Sequence, residues 1–272
     1  MRFRKTTTLA AVAAALSLTA TACGSGGGDS DSIRIGIKFD QPGLGLQEPG
    51  GDYTGFDVDV ATYVAEELGY AAEDIEWVEA PSPERETMLN RGDVDFIVAT
   101  YSITPERDEQ VDFAGPYLVT HQDLLIREGE EVPNEEAIND LTLCSVSGST
   151  SAQNVKDTFA PRADLQEYNT YSQCLTGLEN GTVDALTTDA SILAGYAAQE
   201  QNQGKFALAG LELSTENYGI GVPDGETDLR DDINAALEQM IEDGSWQEFV
   251  DANFGPAGYD AGEPPTIGEV VE

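Results

Sequence analysis

The chain has 272 residues, 51 of them acidic and 13 basic, for a formal charge of −38 at pH 7. So few cations exclude a protein that grips nucleic acid through its phosphates, while the excess of acids speaks to solubility rather than to site chemistry. Three cysteines and one histidine exclude a zinc site of clustered Cys and His, and no Asp-x-Asp-x-Asp-Gly loop is present for calcium.

Residues 1–22 have the layout of an export leader. Arg2, Arg4 and Lys5 precede a short apolar core, Leu9 to Leu18, too short to span a bilayer as a helix. Ala20-Thr21-Ala22 are small and stand directly before Cys23. A cysteine in that place marks a lipoprotein processing site, with lipid on Cys23 after cleavage; Ala20 stands where the pattern prefers Leu. The other reading is an ordinary secretory leader beside an unrelated cysteine. Residues 23–31 are rich in Gly, Ser and Asp and read as a flexible tether. The remaining chain of about 250 residues is long enough for one large domain or two small ones.

From Ile33 the pattern alternates strand and helix. Ile33–Lys38 reads as a strand, followed by a Gly/Pro-rich loop to Thr54. Over Asp57–Leu68 the apolar positions Val58, Val60, Ala61, Val64, Ala65 and Leu68 form one helical stripe, and Gly69 ends it. Then come strand Ile75–Glu79, helix Pro83–Arg91, strand Val94–Ala99 and strand Gln122–Arg127. A second series has strand Leu141–Val146, helix Thr150–Ala160, strand Leu165–Tyr168, helix Tyr171–Asn180, strand Val183–Thr187 and helix Asp189–Gln199. The chain returns through Phe206–Ala209 and Tyr218–Val222 and ends in helices Asp228–Glu242 and Ser245–Ala252. Gly255 to Glu272 has no hydrophobic period and reads as a loose tail. Two βα series with a late return suggest two α/β lobes.

With Cys23 assigned to lipid, Cys144 and Cys174 remain as an even pair in an oxidising compartment, which predicts a disulfide. Cys144 falls on a strand and Cys174 on a helix of the second series. A metal pair is the alternative, without CxxC spacing or a nearby His to support it.

The segment Arg85 to Tyr117 carries the chemistry. A buried strand empties into Thr100, Ser102 and Thr104, and Pro105 opens a helix that carries Arg107. Ligands of open α/β sheets collect where strand ends meet helix starts, and a guanidinium there suits two-point binding of a carboxylate.

This stretch resembles the extracytoplasmic solute-binding proteins of polar amino-acid ABC importers. The shared pattern is T-x-S/T-x-T-x-x-R followed by F-x-x-P-Y, here Thr100, Ser102, Thr104, Arg107, Phe113, Pro116 and Tyr117. The likeness runs from about Ile33 to Phe254. Through Lys38-Phe39-Asp40-Gln41-Pro42-Gly43-Leu44-Gly45 it is closest in look to the glutamate-binding lipoproteins.

The resemblance implies a two-lobed, periplasmic-binding-protein-like fold of type II. Each lobe would be a mostly parallel sheet with flanking helices, joined by a two-strand hinge. Lobe 1 would comprise residues 32–120 plus 211–256 and lobe 2 residues 121–210, leaving 257–272 as the tail. The ligand would lie in the cleft between lobes, which close by hinge motion. Arg107, Thr100 and Ser102 would take the α-carboxylate from lobe 1. Thr150, after Gly148-Ser149, would meet the same carboxylate from lobe 2, and Asp189 would pair with the ammonium. Thr150 and Asp189 also suit plain helix N-caps. Thr188 is a secondary contact. Lys38 and Arg85 would hold a distal carboxylate; Arg85 equally suits a helix surface beside Glu84 or Glu86.

The implied role is a monomeric receptor on the outer face of the cell membrane. It would be anchored by lipid at Cys23 and would deliver an acidic amino acid, glutamate first, to an ABC permease, with no cofactor, metal or nucleic acid. Glutamine, aspartate or another polar amino acid are the alternatives, and a carboxylate-dependent lyase on the same fold stands further off. One histidine, His121, and the absence of a G-x-S-x-G elbow argue against a hydrolase.

Overall fold

The computed structural model describes residues 32–271; the expected export leader (1–22), the expected tether (23–31) and Cys23 lie outside the described residues. The first βα series comprises β1 (Ile33–Ile37), β2 (Asp40–Gln41), β3 (Gly45–Gln47), β4 (Tyr53–Thr54), α1 (Phe56–Glu67), β5 (Ile75–Glu79), α2 (Arg85–Arg91), β6 (Phe96–Ile97) and α3 (Pro105–Asp108). One long strand, β7 (Asp112–Arg127), leads to the second series: β8 (Thr142–Val146), α4 (Thr150–Asn154), β9 (Asp164–Tyr168), α5 (Tyr171–Asn180), β10 (Ala185–Asp189) and α6 (Ala190–Ala198). The return is made by β11 (Phe206–Leu208), β12 (Thr215–Val222), α7 (Thr227–Glu242) and α8 (Ser245–Phe254).

The sheet follows the order β5-β1-β6-β12-β7-β10-β8-β9, with β11 added on β7. β1 is parallel to β5 and β6, and β8 is parallel to β9 and β10, as short βα crossovers require. Strand β7 serves both lobes of this type II fold. Its residues 112–121 pair antiparallel with β12, and its residues 122–125 pair with β10. Two antiparallel strands thus cross between the lobes, and the largest buried hydrophobic cluster runs through both of them, from Phe56 and Trp246 to Cys144 and Leu186. In lobe 1 Phe56 is surrounded by Tyr117, Trp246 and Phe254, and Trp246 Nε1 donates to the Tyr117 carbonyl at 2.8 Å. In lobe 2 Leu124, Ile126, Leu143, Val155 and Ala185 are buried together. Each large aliphatic or aromatic side chain so buried contributes about 1.5–3 kcal/mol.

Several expected elements change shape. The Gly/Pro-rich loop before Thr54 holds a small antiparallel sheet, β2-β3-β4, closed by a turn at Pro42-Gly43 in which the Leu44 amide reaches the Gln41 carbonyl at 3.1 Å. Strand β6 is shorter than Val94–Ala99, although Asp95 and Val98 still donate to Arg34 and Gly36 of β1. Three residues beyond its end, Thr100 turns left-handed, φ 47°. The helix expected to Ala160 keeps α geometry only to Asn154 and continues as a π turn over Val155–Phe159. The expectation of a loose tail is corrected at three points. The Tyr259 hydroxyl meets Thr120 Oγ1 at 2.7 Å, the Gly268 amide donates to the Gly115 carbonyl, and Val271 is held through both its N–H and C=O by the Asn217 side chain. A segment without hydrophobic period can still dock by backbone hydrogen bonds, and periodicity is blind to those.

Cys144 on β8 and Cys174 on α5 form the expected disulfide, with Cα atoms 5.5 Å apart and a sequence separation of 30. Closing that loop restricts the unfolded chain by about 3–4 kcal/mol. Replacing both cysteines by alanine should lower the free energy of unfolding by about that amount in urea titrations; a change below about 1 kcal/mol would show that the bridge only decorates lobe 2.

Candidate functional site

Strand ends and helix starts from both lobes converge on one small polar cavity of about 10 Å³. Lobe 1 supplies Ser82, Arg85, Thr100 and Arg107; lobe 2 supplies Ser149, Thr150, Tyr171, Asp189 and Ile192.

Thr104 caps α3 by accepting from the Arg107 amide, and Pro105 follows at a first-turn position. That places Arg107 facing inward, where its Nη1 donates to the Ser102 carbonyl at 2.8 Å and its Nη2 to the Gly148 carbonyl of lobe 2 at 3.2 Å. Glu86 lies 3.6 Å from Arg107 Nε. Arg85 is also buried and donates from Nε to the Ala80 carbonyl at 3.2 Å. Both guanidinium groups lie against the Tyr101 ring, 5.0 and 4.9 Å from its centroid, an arrangement that suits planar cations. Burial, and next the charge of Arg107, press the Arg85 pKa down.

Thr100 owes its left-handed backbone to a partner missed in the sequence. Its amide donates to Asp57 Oδ2 at 2.9 Å, and Asp57 Oδ1 accepts from the Tyr117 hydroxyl at 2.8 Å. Asp57 stands in the first turn of α1, fully buried; burial pushes it up to about 6 against those two hydrogen bonds. Its signal in the sequence was an acid inside an otherwise apolar helix face, Phe56-Asp57-Val58.

In lobe 2 Ser149, rather than Thr150, caps α4, accepting from the Ala152 amide at 3.0 Å. Thr150 is then the first helical residue, its hydroxyl 3.4 Å from that of Ser102 across the cleft. Gly148 has φ 74°, and a Cβ there would stand 3.0 Å from Pro83 of lobe 1, so only glycine lets the two backbones come this close. Asp189 occupies the N-cap position of α6 but makes no capping bond. Its carboxylate accepts instead from the Tyr218 hydroxyl at 2.6 Å and the Ser151 hydroxyl at 3.3 Å. Burial, and second the Glu216 carboxylate, push Asp189 up to about 8.

Of the expected site residues, Arg85, Thr100, Arg107, Thr150 and Asp189 border the cavity. Ser102 reaches it through Arg107 and Thr150. Thr188 lies behind the wall, 3.5 Å from the Ser151 hydroxyl. Lys38, expected on the cleft wall, turns to Asp40 instead: its Nζ is 3.5 Å from Asp40 Oδ1, it does not border the cavity, and burial lowers its pKa. A buried ammonium takes the nearest carboxylate. Ser82 and Tyr171 were missed, though the strand-to-helix rule that found Arg107 applies equally at Pro81-Ser82-Pro83 and at Thr170-Tyr171. Ile192 carried no signal beyond being apolar. Among the described residues no group of three or more His, Cys, Asp or Glu could hold a metal.

Residues 33–256 match the bacterial extracellular solute-binding proteins, family 3. The glutamate-binding protein GluB of Corynebacterium efficiens is 50% identical over 234 residues, 82% of this chain and 79% of that protein. The ABC transporter glutamine-binding protein GlnH of Bacillus subtilis is 37% identical over 219 residues, 80% and 79% of the two chains. Among solved structures, an ancestral arginine-binding protein bound to glutamine superposes with a TM-score of 0.76 at 30% identity, over 84% of this chain and all of that one. An ancestral amino-acid-binding protein described as a precursor of cyclohexadienyl dehydratase does so with a TM-score of 0.73 at 27% identity, over 82% and 95%. By fold, by the convergence of both lobes on one cavity and by these matches, the chain belongs to the bacterial extracellular solute-binding proteins, family 3.

Proposed function

We propose that this protein is an extracytoplasmic receptor for an acidic amino acid, glutamate by preference, that closes on its ligand and hands it to an ABC permease. One observation carries the reading: two buried arginines from one lobe and a buried carboxylate from the other border the same cavity. That set matches an amino acid with two carboxylates and one ammonium. Arg107 takes the α-carboxylate with Thr100, Ser102 and Thr150, Asp189 takes the ammonium with Thr188 behind it, and Arg85 takes the distal carboxylate. Lys38 adds positive charge near Arg85, its pKa lowered by burial first and by the Arg85 charge as well. The half-identical glutamate-binding relative supports the same ligand. Glutamine is the second reading, favoured by the glutamine-binding relative; a neutral distal amide would leave Arg85 with backbone partners only. The protein works as a monomer, in lobes of residues 32–120 with 211–256 and 121–210, held to the outer face of the membrane by lipid at Cys23. It binds rather than transforms: the charged groups on the cavity wall, Arg85, Arg107 and Asp189, each have a place in holding the zwitterion, and none is left as an acid–base pair.

Calorimetric titration of residues 32–272, freed of carried-over ligand, with glutamate, aspartate, glutamine and arginine tests the reading. Glutamate should bind tightest, and no binding of any amino acid would overturn it. Arg107→Ala should lower affinity for every amino acid at least about 100-fold, because charged hydrogen bonds contribute about 1.5–3 kcal/mol each and Arg107 offers several. Arg85→Ala should weaken glutamate by roughly 10- to 100-fold and glutamine by only a few-fold. Equal losses for the two ligands would remove Arg85 from the distal pocket.

Asp189 has a second consequence. Folded, it holds its proton up to about pH 8, whereas the unfolded chain releases it near 3.8. Its contribution to stability is therefore full below about pH 4 and lost as pH rises through about 8. Ligand-free Asp189→Asn should show a shallower fall in melting temperature between pH 5 and 8 than the parent. An ammonium beside Asp189 favours its ionised form, so glutamate binding at pH 7 should release a proton. Binding enthalpy should then vary with the buffer's ionisation enthalpy in the parent and not in Asp189→Asn.

A further inference from the structure

Outside the cavity, the small β2 turn of lobe 1 lies against two helices of lobe 2. The Tyr196 hydroxyl of α6 donates to the Asp40 carbonyl. The Asp40 carboxylate faces the first turn of α5, with Oδ2 3.4 Å from the Ser172 amide, 3.5 Å from the Ser172 hydroxyl and 3.2 Å from that of Tyr196. Asp40 Oδ1 is buried without a hydrogen bond, its charge faced only by Lys38 Nζ. Two residues on, the Pro42 carbonyl sits over Gly195 in the middle of α6, and a Cβ on Gly195 would stand 2.0 Å from that oxygen. Glycine is a poor residue for a helix interior. Its presence here fits the close approach of the other lobe, since the three atoms nearest to a Cβ placed on Gly195 all belong to Pro42. None of Asp40, Pro42, Ser172, Gly195 or Tyr196 borders the ligand cavity.

We propose that Asp40–Pro42 on lobe 1 and Ser172, Gly195 and Tyr196 on lobe 2 form an interlobe latch that holds the closed state without touching the ligand. The proposal rests on the reading of a cleft that closes on an amino acid. The latch adds its contacts only when the lobes meet, so it raises the share of closed protein and hence apparent affinity. Helix α5 is itself fixed to its own sheet by Cys144–Cys174, so Ser172 moves with lobe 2 as a rigid body. The Lys38–Asp40 pair is also explained: it supplies the charge that a buried carboxylate at the lobe boundary requires.

Gly195→Ala separates the latch from folding, because the two effects have opposite signs. Alanine favours the helix within lobe 2, while its methyl group collides with Pro42 only when the lobes meet. The expected result is an unchanged or higher melting temperature without ligand and a glutamate affinity lower by about tenfold or more. Small-angle scattering at saturating glutamate should give a larger radius of gyration than in the parent. Tyr196→Phe, which removes the hydroxyl shared by Asp40 of lobe 1 and Ser172 of lobe 2, should weaken glutamate a few-fold. Parent affinity in both variants would overturn the latch. So would a fall in ligand-free melting temperature that tracks the loss of affinity, since that would assign Gly195 to packing within its own lobe. If the parent itself binds no amino acid, the receptor reading fails, and the scattering comparison of parent and Gly195→Ala then decides the latch alone: equal radii overturn it.

Discussion

A buried charge must have partners on every side, and much of this protein's architecture supplies them. Arg85, Arg107, Asp57, Asp189 and Lys38 are all withdrawn from water. The arginines are met by backbone carbonyls and the Tyr101 face, and the two aspartates by tyrosine hydroxyls. Those tyrosines, Tyr117 and Tyr218, stand on β7 and β12, the strands that cross between the lobes, with their rings 6.1 Å apart. The hinge and the site are therefore one piece of structure. Tyr117 positions Asp57 and through it the unusual backbone of Thr100; Tyr218 positions Asp189.

This arrangement explains how a cavity assembled from two lobes can be ordered. Each lobe fixes its half of the cluster by contacts within its own core or with the hinge, so little has to be arranged when the halves meet. Contacts between the lobes include Arg107 to Gly148, Ser102 to Thr150, Asn154 to Glu216, Tyr218 to Asp189, and the β2 turn against α5 and α6. Glycines stand where the backbones come closest, at Gly148 and Gly195. The tail, bound to Thr120 on β7 and Asn217 on β12, braces the same crossing from outside.

The electrostatics divide by distance. The surface carries most of a formal charge of −38, which would repel an anion in the absence of salt. Ions screen exposed charges beyond about 8 Å at physiological strength, whereas interactions inside the cavity pass through protein. Two arginines within a low-dielectric pocket outweigh many solvated carboxylates spread over the surface. Net charge consequently says little about the ligand, and the few buried cations say much.

The sequence by itself determined the alternation of strands and helices, because periodicity records which face of each element is buried. Tyr171–Asn180 and Ile75–Glu79 have the same bounds in sequence and structure. Strand-to-helix junctions carry local signatures in Pro, Ser, Thr and Asp, and Arg107, Thr150 and Asp189, which stand at such junctions, border one cavity. The pairing of Cys144 with Cys174 followed from there being two cysteines left to pair. The tertiary structure alone decided where side chains turn once folded. It sent Lys38 to Asp40, made Asp57 the partner of Thr100, freed Asp189 from capping its own helix, and set Gly195 under Pro42. Each of these is a contact between residues far apart in the chain, fixed by the crossing of two strands and by the demand that buried charge be paired. No local pattern records either.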